Sequence, residues 1–182
     1  MSSVAKSVEL YTPFFKTKKA RKILDYGAGR LRNSLFLSGA GFRVYAADVP
    51  EQVRWIRTNP GADKLAGVLD TDQLCRSRLA ADLVVSTYVF NIIPNSEEKT
   101  RYLQNITRNL RPGGYLLLEV CCRKESTECG SDCSEHLKCT TCAKTYSHEE
   151  LDSIVKPFGF KRVCFYYRRR ALAAVYQLQQ AS

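Results

Sequence analysis

The chain has 182 residues, 45% of them hydrophobic and 25% charged, with eight cysteines and a formal net charge of +10. That length and apolar share suit one compact domain, 1–182, with its own core. No stretch approaches the roughly eighteen uninterrupted apolar residues of a membrane span, and the opening MSSVAKSVELYTPFF lacks the basic-then-apolar order of a secretory signal, so a cytoplasmic protein is expected.

Lys16, Lys18, Lys19, Arg21 and Lys22 crowd ahead of the short apolar run Ile23-Leu24, and Arg168-Arg169-Arg170 lies near the end. Such a basic excess attracts polyanions, and a solvated surface explains it equally well, so a nucleic-acid partner stays open. Ile23-Leu24 reads as a buried strand, and Leu31, Leu35, Phe36 and Leu37 supply the stripe of a following helix. Between them, Asp25-Tyr26-Gly27-Ala28-Gly29 forms a tight turn at a helix mouth, where glycine admits close backbone approach and unpaired amides favour a polar or anionic ligand. The dinucleotide fingerprint G-x-G-x-x-G would need a third glycine where Arg32 stands, which weakens a nicotinamide reading.

Phe42 to Ala47 reads as a second strand finishing at Asp48, nineteen residues past Gly29. In nucleotide-binding βαβ units an acid there accepts both ribose hydroxyls; the alternative is a helix cap ahead of Pro50. Ala66 to Leu69 is a third strand ending at Asp70-Thr71-Asp72, and Ala81 to Val89 carries the fourth. Asn95 and Glu98 have capping-box spacing, Tyr102, Leu103, Ile106 and Leu110 keep helical spacing, and Arg111-Pro112-Gly113-Gly114 stops that helix before a fifth strand, Tyr115 to Val120. Ser147 and Glu150 open a last helix that Gly159 ends. Phe160 to Tyr167 and Ala171 to Leu178 are then two strands whose short link demands an antiparallel pair. Strands and helices alternate, which implies a mostly parallel sheet covered on both faces, with ligands outside the carboxyl ends of the strands. Asp25, Asp48, Asp70 and Ser86 all fall at such ends.

Six of the eight cysteines lie between Cys121 and Cys142, in a Cys-rich insertion, 121–145, directly after the fifth strand. Cys129, Cys133, Cys139 and Cys142 are spaced C-x3-C-x5-C-x2-C, and four thiolates can enclose Zn2+ tetrahedrally. Three readings stand: a zinc knuckle, thiols that take a soft metalloid, and reduced cysteines with no special task. His136 and His148 are reserve ligands.

Taken together, several motifs resemble those of class I S-adenosylmethionine-dependent methyltransferases, from about Lys22 to Leu178. They are the acid and G-x-G of Asp25 to Gly29, the ribose acid at Asp48, Asp70 with Thr71 after the third strand, the turn Leu110-Arg111-Pro112-Gly113-Gly114, and the terminal antiparallel strand Ala171 to Leu178. Arg32-Asn33-Ser34-Leu35-Phe36-Leu37 is similar to the R-N-S-L-Y-L run of the tellurite-resistance and thiopurine-type methyltransferases, which usually carry a third glycine where this chain has Leu31. The resemblance implies an α/β fold with a doubly wound, mostly parallel seven-stranded sheet of the Rossmann-like methyltransferase kind and a C-terminal antiparallel hairpin. It implies that Asp25, Tyr26, Gly27, Ala28, Gly29 and Asn33 hold the methionyl end of S-adenosylmethionine, that Asp48 and Val49 address the ribose side, that Asp70 and Thr71 address adenine, and that Ser86 and Thr87 lie near the sulfonium.

Methyl transfer from a sulfonium is an in-line displacement on an activated donor, so alignment and exclusion of water are the main tasks. A thiolate or reduced metalloid attacks unaided, whereas an amine or hydroxyl more often wants a base or a polarising partner. No dedicated catalytic residue is evident. Phe90-Asn91-Ile92-Ile93-Pro94, past the fourth strand, does not resemble the N-P-P-[YF] of amino-methylating DNA enzymes, and Asn91 is a candidate for orienting a substrate. The expected function is methylation of a small acceptor, a thiol or metalloid among the options. The alternatives are a nucleic-acid methyltransferase and a non-catalytic module that binds the cofactor or is stabilised by zinc.

Overall fold

The computed structural model describes residues 3–121, 145–168 and 171–180. Five strands run parallel: β1 (Lys22–Tyr26), β2 (Arg43–Asp48), β3 (Gly67–Asp70), β4 (Ala81–Thr87) and β5 (Leu110–Cys121). Two more close the sheet in the antiparallel sense: β6 (Phe160–Arg168) pairs with β7 (Ala171–Leu178), and β7 pairs with β5. The spatial order is β3-β2-β1-β4-β5-β7-β6. The fold is therefore the doubly wound seven-stranded methyltransferase-like sheet expected from the motifs, hairpin included.

Strand alternation assigns side chains to the two faces. On one face Ile23, Val44, Leu83, Val85, Leu117 and Val175 lie under two helices, α1 (Lys6–Thr17) and α2 (Arg32–Gly39), through Val8, Phe15 and Leu37. Among the described residues four more helices follow: α3 (Pro50–Thr58), α4 (Thr71–Arg76), α5 (Ser96–Asn109) and α6 (His148–Val155). On the second face Leu24, Val84, Leu116, Leu118 and Leu172 pack against Leu74 of α4, Tyr102, Leu103 and Ile106 of α5, and Leu151 and Val155 of α6. The chain leaves β1 towards β2 and β3, then returns to place β4 on the other side, so the order reverses between β1 and β4. In sheets of this kind the ligand crevice lies outside the carboxyl ends of the strands at such a reversal.

Several boundaries differ from the sequence reading. The helix α1 is absent from that reading, because its buried positions Ser7, Val8, Thr12 and Phe15 include two polar residues and Pro13 interrupts the run. Strand β4 ends at Thr87 rather than Val89, because Tyr88 turns the chain with φ +60°. Strand β5 starts at Leu110 rather than Tyr115, because Leu110 already pairs with Ala81 and the Pro-Gly-Gly turn lies in a ladder irregularity. The Asn95 cap is one-sided: its Oδ1 accepts from the Glu98 amide at 2.8 Å, while its side-chain amide, not its backbone, donates to the Glu98 carboxylate. The Ser147–Glu150 capping box is reciprocal.

Candidate active site

The loop after β1 is built against the loop after β4. Gly27 has φ +91°, and a Cβ there would stand 2.0 Å from Val89 Cγ2, so only glycine fits. The amides of Gly27 and Ala28 both donate to the Ala47 carbonyl, at 2.7 and 3.2 Å, tying the loop to β2. The backbone of Gly29 is held at both ends: its N–H donates to Asp48 Oδ2 and its carbonyl accepts from Gln52 Nε2, each at 2.8 Å.

Leu31 precedes α2 with φ +62°, the left-handed conformation that a third glycine would take at no steric cost. Its side chain is fully buried with Ala28, Ala46 and Ile56. Burial of a leucine contributes about 2 kcal/mol, against about 1–2 kcal/mol for a left-handed non-glycine residue. The loop therefore keeps a glycine-like backbone around a leucine.

At the floor of the crevice, Asp25 is 1% exposed. Its Oδ2 accepts from Ser34 Oγ of α2 at 2.5 Å, while its Oδ1 is buried without a hydrogen-bond partner. Burial pushes this carboxyl up to about 6, the Ser34 hydrogen bond opposing the rise. A donor arriving at Oδ1, above all a cationic one, satisfies both the orphan oxygen and the charge.

The neighbouring strand ends carry acids with partly committed side chains. Asp48 accepts from Gly29 through Oδ2 and from the Val49 amide through Oδ1, at 2.8 Å each. The cap of α3 is Val49, not Asp48, and Pro50 takes the first helical position. Each Asp48 oxygen keeps a lone pair for a second donor. Val49 presents an apolar side chain that is 49% exposed beside it. Asp70 caps α4 in a reciprocal box with Gln73, which commits its Oδ1, and Thr71 is the first helical residue.

Ser86 and Thr87 point to opposite faces of the sheet. Ser86 Oγ accepts from the Tyr102 hydroxyl at 2.8 Å, and the Tyr102 ring stacks on Tyr26 at 4.2 Å, so the Ser86 and Tyr26 side chains pack on the α5 side of the sheet. Thr87 faces α2, where its hydroxyl accepts from Asn33 Nδ2 at 2.9 Å. Asn33 Oδ1 in turn accepts from the Ala5 amide at 3.0 Å, which pins the start of α1 to the crevice rim.

Glu119, Tyr88 and Ser7, which sequence reasoning missed, complete this side. Glu119 of β5, paired with Thr87 across the ladder, is 2% exposed. One of its oxygens accepts from the Tyr88 hydroxyl at 2.7 Å and the other from the hydroxyl of Ser7 in α1. The Tyr88 amide also donates to the Glu119 carbonyl at 2.8 Å. No single local pattern carries this signal, since Ser7 and Glu119 are 112 residues apart. Asn91 lies in a 3-10 turn, Phe90–Ile92, packed on β5; it is buried and its Oδ1 has no hydrogen-bond partner.

Cys129, Cys133, Cys139, Cys142 and His136 lie outside the described residues, as does most of the Cys-rich insertion. Among the described residues, no group of three or more His, Cys, Asp or Glu side chains could hold a metal ion. His148 lies in the first turn of α6 with its ring edge against Phe165, and burial lowers its pKa. Among the described residues no helix is long and apolar enough to cross a membrane.

The family model described as a methyltransferase domain matches residues 4–165. The chain belongs to that family. It is an S-adenosylmethionine-dependent methyltransferase of class I, as its motifs led us to expect. No curated protein matches it by sequence. In three dimensions it is similar to a SAM-dependent methyltransferase from Methanosarcina mazei, with a TM-score of 0.71 at 16% identity over 99% of this chain and 100% of that one. It is also similar to TehB from Haemophilus influenzae, with a TM-score of 0.69 at 19% identity over 99% of this chain and 64% of that one. A third similar structure is the 1,6-didemethyltoxoflavin-N1-methyltransferase of Burkholderia thailandensis, solved with 1,6-didemethyltoxoflavin and S-adenosylhomocysteine. Its TM-score is 0.66 at 16% identity over 96% of this chain and 79% of that one. At these identities the likeness concerns the fold.

Proposed function

We propose that the enzyme methylates a small acceptor, which enters between α1 and the ends of β4 and β5, with the donor held across the ends of β1, β2 and β3. S-adenosylmethionine supplies an activated methyl group on a sulfonium. The residues present fit it. Asp25 Oδ1, buried without a partner, suits the cationic amino group of the methionyl end. The close approach at Gly27 leaves room for backbone contact but none for a side chain. Asp48 retains lone pairs for the ribose hydroxyls, and the exposed apolar surface of Val49 suits one face of an adenine ring. The second carboxylate oxygen of Asp70, which accepts no hydrogen bond among the described residues, and the backbone at Thr71 suit the adenine edge. Asn33 and Thr87 shape the wall between donor and acceptor.

The observation that carries the small-acceptor reading is the attachment of α1 over the acceptor side, through the Ala5–Asn33 and Ser7–Glu119 hydrogen bonds. A base would have to leave its stack and reach past this helix, whereas a small molecule needs only a local opening. The neighbour from Burkholderia thailandensis, solved with a small-molecule substrate, is of a kind with this reading.

The test uses S-adenosylmethionine labelled in the methyl group, offered with small amines, thiols, tellurite, total RNA and duplex DNA, at low and at moderate salt. Label in a small acceptor, unaffected by salt, is the expected result. Label in nucleic acid that falls steeply with salt would establish the polyanion reading instead. If the wild-type protein gives no calorimetric heat with S-adenosylmethionine at high micromolar concentration, catalysis itself is refuted.

A further inference from the structure

We propose that Glu119, Tyr88 and Asn91 form the acceptor seat, and that this seat selects a nitrogen nucleophile bearing an N–H in preference to a thiol or an oxyanion. The inference rests on the methyl-transfer reading and names the substrate class for the same site.

The first observation is the polarity of the groups around Thr87. Glu119 is a buried carboxylate whose described partners are two hydroxyls, those of Tyr88 and Ser7, and among the described residues no cation pairs with it. A buried carboxylate that is held by hydroxyls alone is costly unless positive charge comes near it. The second observation is independent. Asn91 carries a buried oxygen with no donor, in a turn that packs on the same strand β5. Both groups accept hydrogen bonds: Asn91 Oδ1 has no donor, and each Glu119 oxygen keeps a lone pair beyond its one hydroxyl partner. An N–H supplies a donor; a thiolate or a metalloid oxyanion brings only more negative charge.

A third feature concerns Tyr88. It is left-handed at φ +60° directly after β4, and the residue remains 38% exposed while its hydroxyl reaches back to Glu119. A non-glycine residue in that conformation costs about 1–2 kcal/mol, and the two bonds to Glu119, from the amide and from the hydroxyl, hold it there. The geometry fixes an aromatic wall beside a carboxylate, which is a surface suited to a planar or cationic nitrogen compound.

The same arrangement favours the chemistry. A neutral nitrogen lone pair forms the new N–C bond as the donor's S–C bond breaks; the bonding pair stays with sulfur, the positive charge arrives on nitrogen, and a proton then passes from nitrogen to water. Positive charge thus moves towards the acceptor side, where a fixed carboxylate stabilises it more in the transition state than before the reaction. With a thiolate acceptor the charges on donor and acceptor cancel, and the carboxylate repels the nucleophile. The thiol or metalloid acceptor considered from the sequence alone is disfavoured on this ground.

The experiment pairs binding with turnover. The full-length protein, saturated with S-adenosylhomocysteine, is titrated calorimetrically with benzylamine, aniline and imidazole, and with benzyl mercaptan and thiophenol. The same compounds are offered for methylation with S-adenosylmethionine, using wild type and Glu119→Gln. The expected result is that at least one nitrogen compound is bound and methylated tenfold better than the thiols. Glu119→Gln should then lose at least tenfold in affinity and in kcat/KM for that compound, while its affinity for S-adenosylhomocysteine changes less than twofold. Equal or better use of thiols by wild type, no binding of any nitrogen compound, or an unchanged Glu119→Gln overturns the proposal. Should Glu119→Gln fail to fold, the wild-type preference between nitrogen and sulfur decides alone. Failure of wild type to bind S-adenosylhomocysteine would instead refute the methyl-transfer reading beneath it.

Discussion

The two halves of the crevice are built by different means. On the donor side, around β1, β2 and β3, the contacts are mostly short in sequence: Ser34 to Asp25 spans nine residues, Gly29 to Asp48 nineteen and Gln73 to Asp70 three. On the acceptor side, around β4 and β5, they are long: Asn33 to Thr87 spans 54 residues and Ser7 to Glu119 spans 112. Each βα unit can carry its share of a cofactor site within itself. The acceptor side needs the finished sheet and the N-terminal helix laid across it. One half is thus a motif, and the other is a product of tertiary packing.

The largest expected effect lies in the motif half. Gly27→Val places a side chain where Val89 already stands and forces a positive φ on a β-branched residue. Calorimetry should find affinity for S-adenosylmethionine reduced at least a hundredfold, and a thermal melt should find several kcal/mol of stability lost, as for other strained and overpacked positions. Tight binding by this variant would break the comparison on its donor side.

A smaller effect is expected from Asp25→Asn, which keeps the shape but removes the charge. A hydrogen bond to a charged group is worth about 1.5–3 kcal/mol, so affinity should fall roughly ten- to a hundredfold. The pH dependence sharpens the point. Burial raises the folded-state pKa of Asp25 to about 6 from an ordinary value of 3.8. The folded state therefore binds this proton more tightly than the unfolded state, and stability contributed by Asp25 is greatest below about 4 and is lost as pH rises through about 6. Cofactor affinity should run the opposite way, rising with pH through the same range as the carboxylate becomes available to a cationic donor. Melts and titrations between pH 4.5 and 7.5 should show both trends in wild type and neither in Asp25→Asn.

The acceptor half should respond differently. Asn33→Ala removes the bridge between Ala5 and Thr87 and leaves two polar groups without it, at a cost of about 1–3 kcal/mol. Amide hydrogen exchange over residues 5–9 should quicken about tenfold or more, while affinity for S-adenosylhomocysteine changes only a few-fold. Equal losses in both readouts would show that the halves are coupled rather than separable.

The smallest effect concerns Leu31. Truncation removes buried apolar surface, but glycine alone also relieves the left-handed backbone. Leu31→Gly should therefore be more stable than Leu31→Ala by about 1 kcal/mol, the reverse of the usual order of the two residues in a helix. Denaturant midpoints at matched slope provide the check.

This division explains what could be read from the chain. The alternation of strands, the glycine turn, Asp48 and the final hairpin were legible because each depends on a pattern within some thirty residues. The Asp70 cap was legible as an acid at a strand end, though its box with Gln73 went unseen. The helix α1 was not, since two of its four buried positions are Ser7 and Thr12 and no apolar stripe marks it. Ser86 and Thr87 are neighbours in sequence, yet strand alternation sends one to Tyr102 and the other to Asn33. Glu119 sat unnoticed in an apolar run, because its partners Ser7 and Tyr88 belong to other parts of the chain.

The most direct test of the account is a calorimetric titration of the wild-type protein with S-adenosylhomocysteine at pH 7.5, repeated on Gly27→Val. Saturable binding of one ligand per chain by wild type, and none by the variant at high micromolar ligand, is the predicted result. Absence of heat with folded wild type, or equal binding by both proteins, would contradict the placement of the donor in the crevice between β1 and β4.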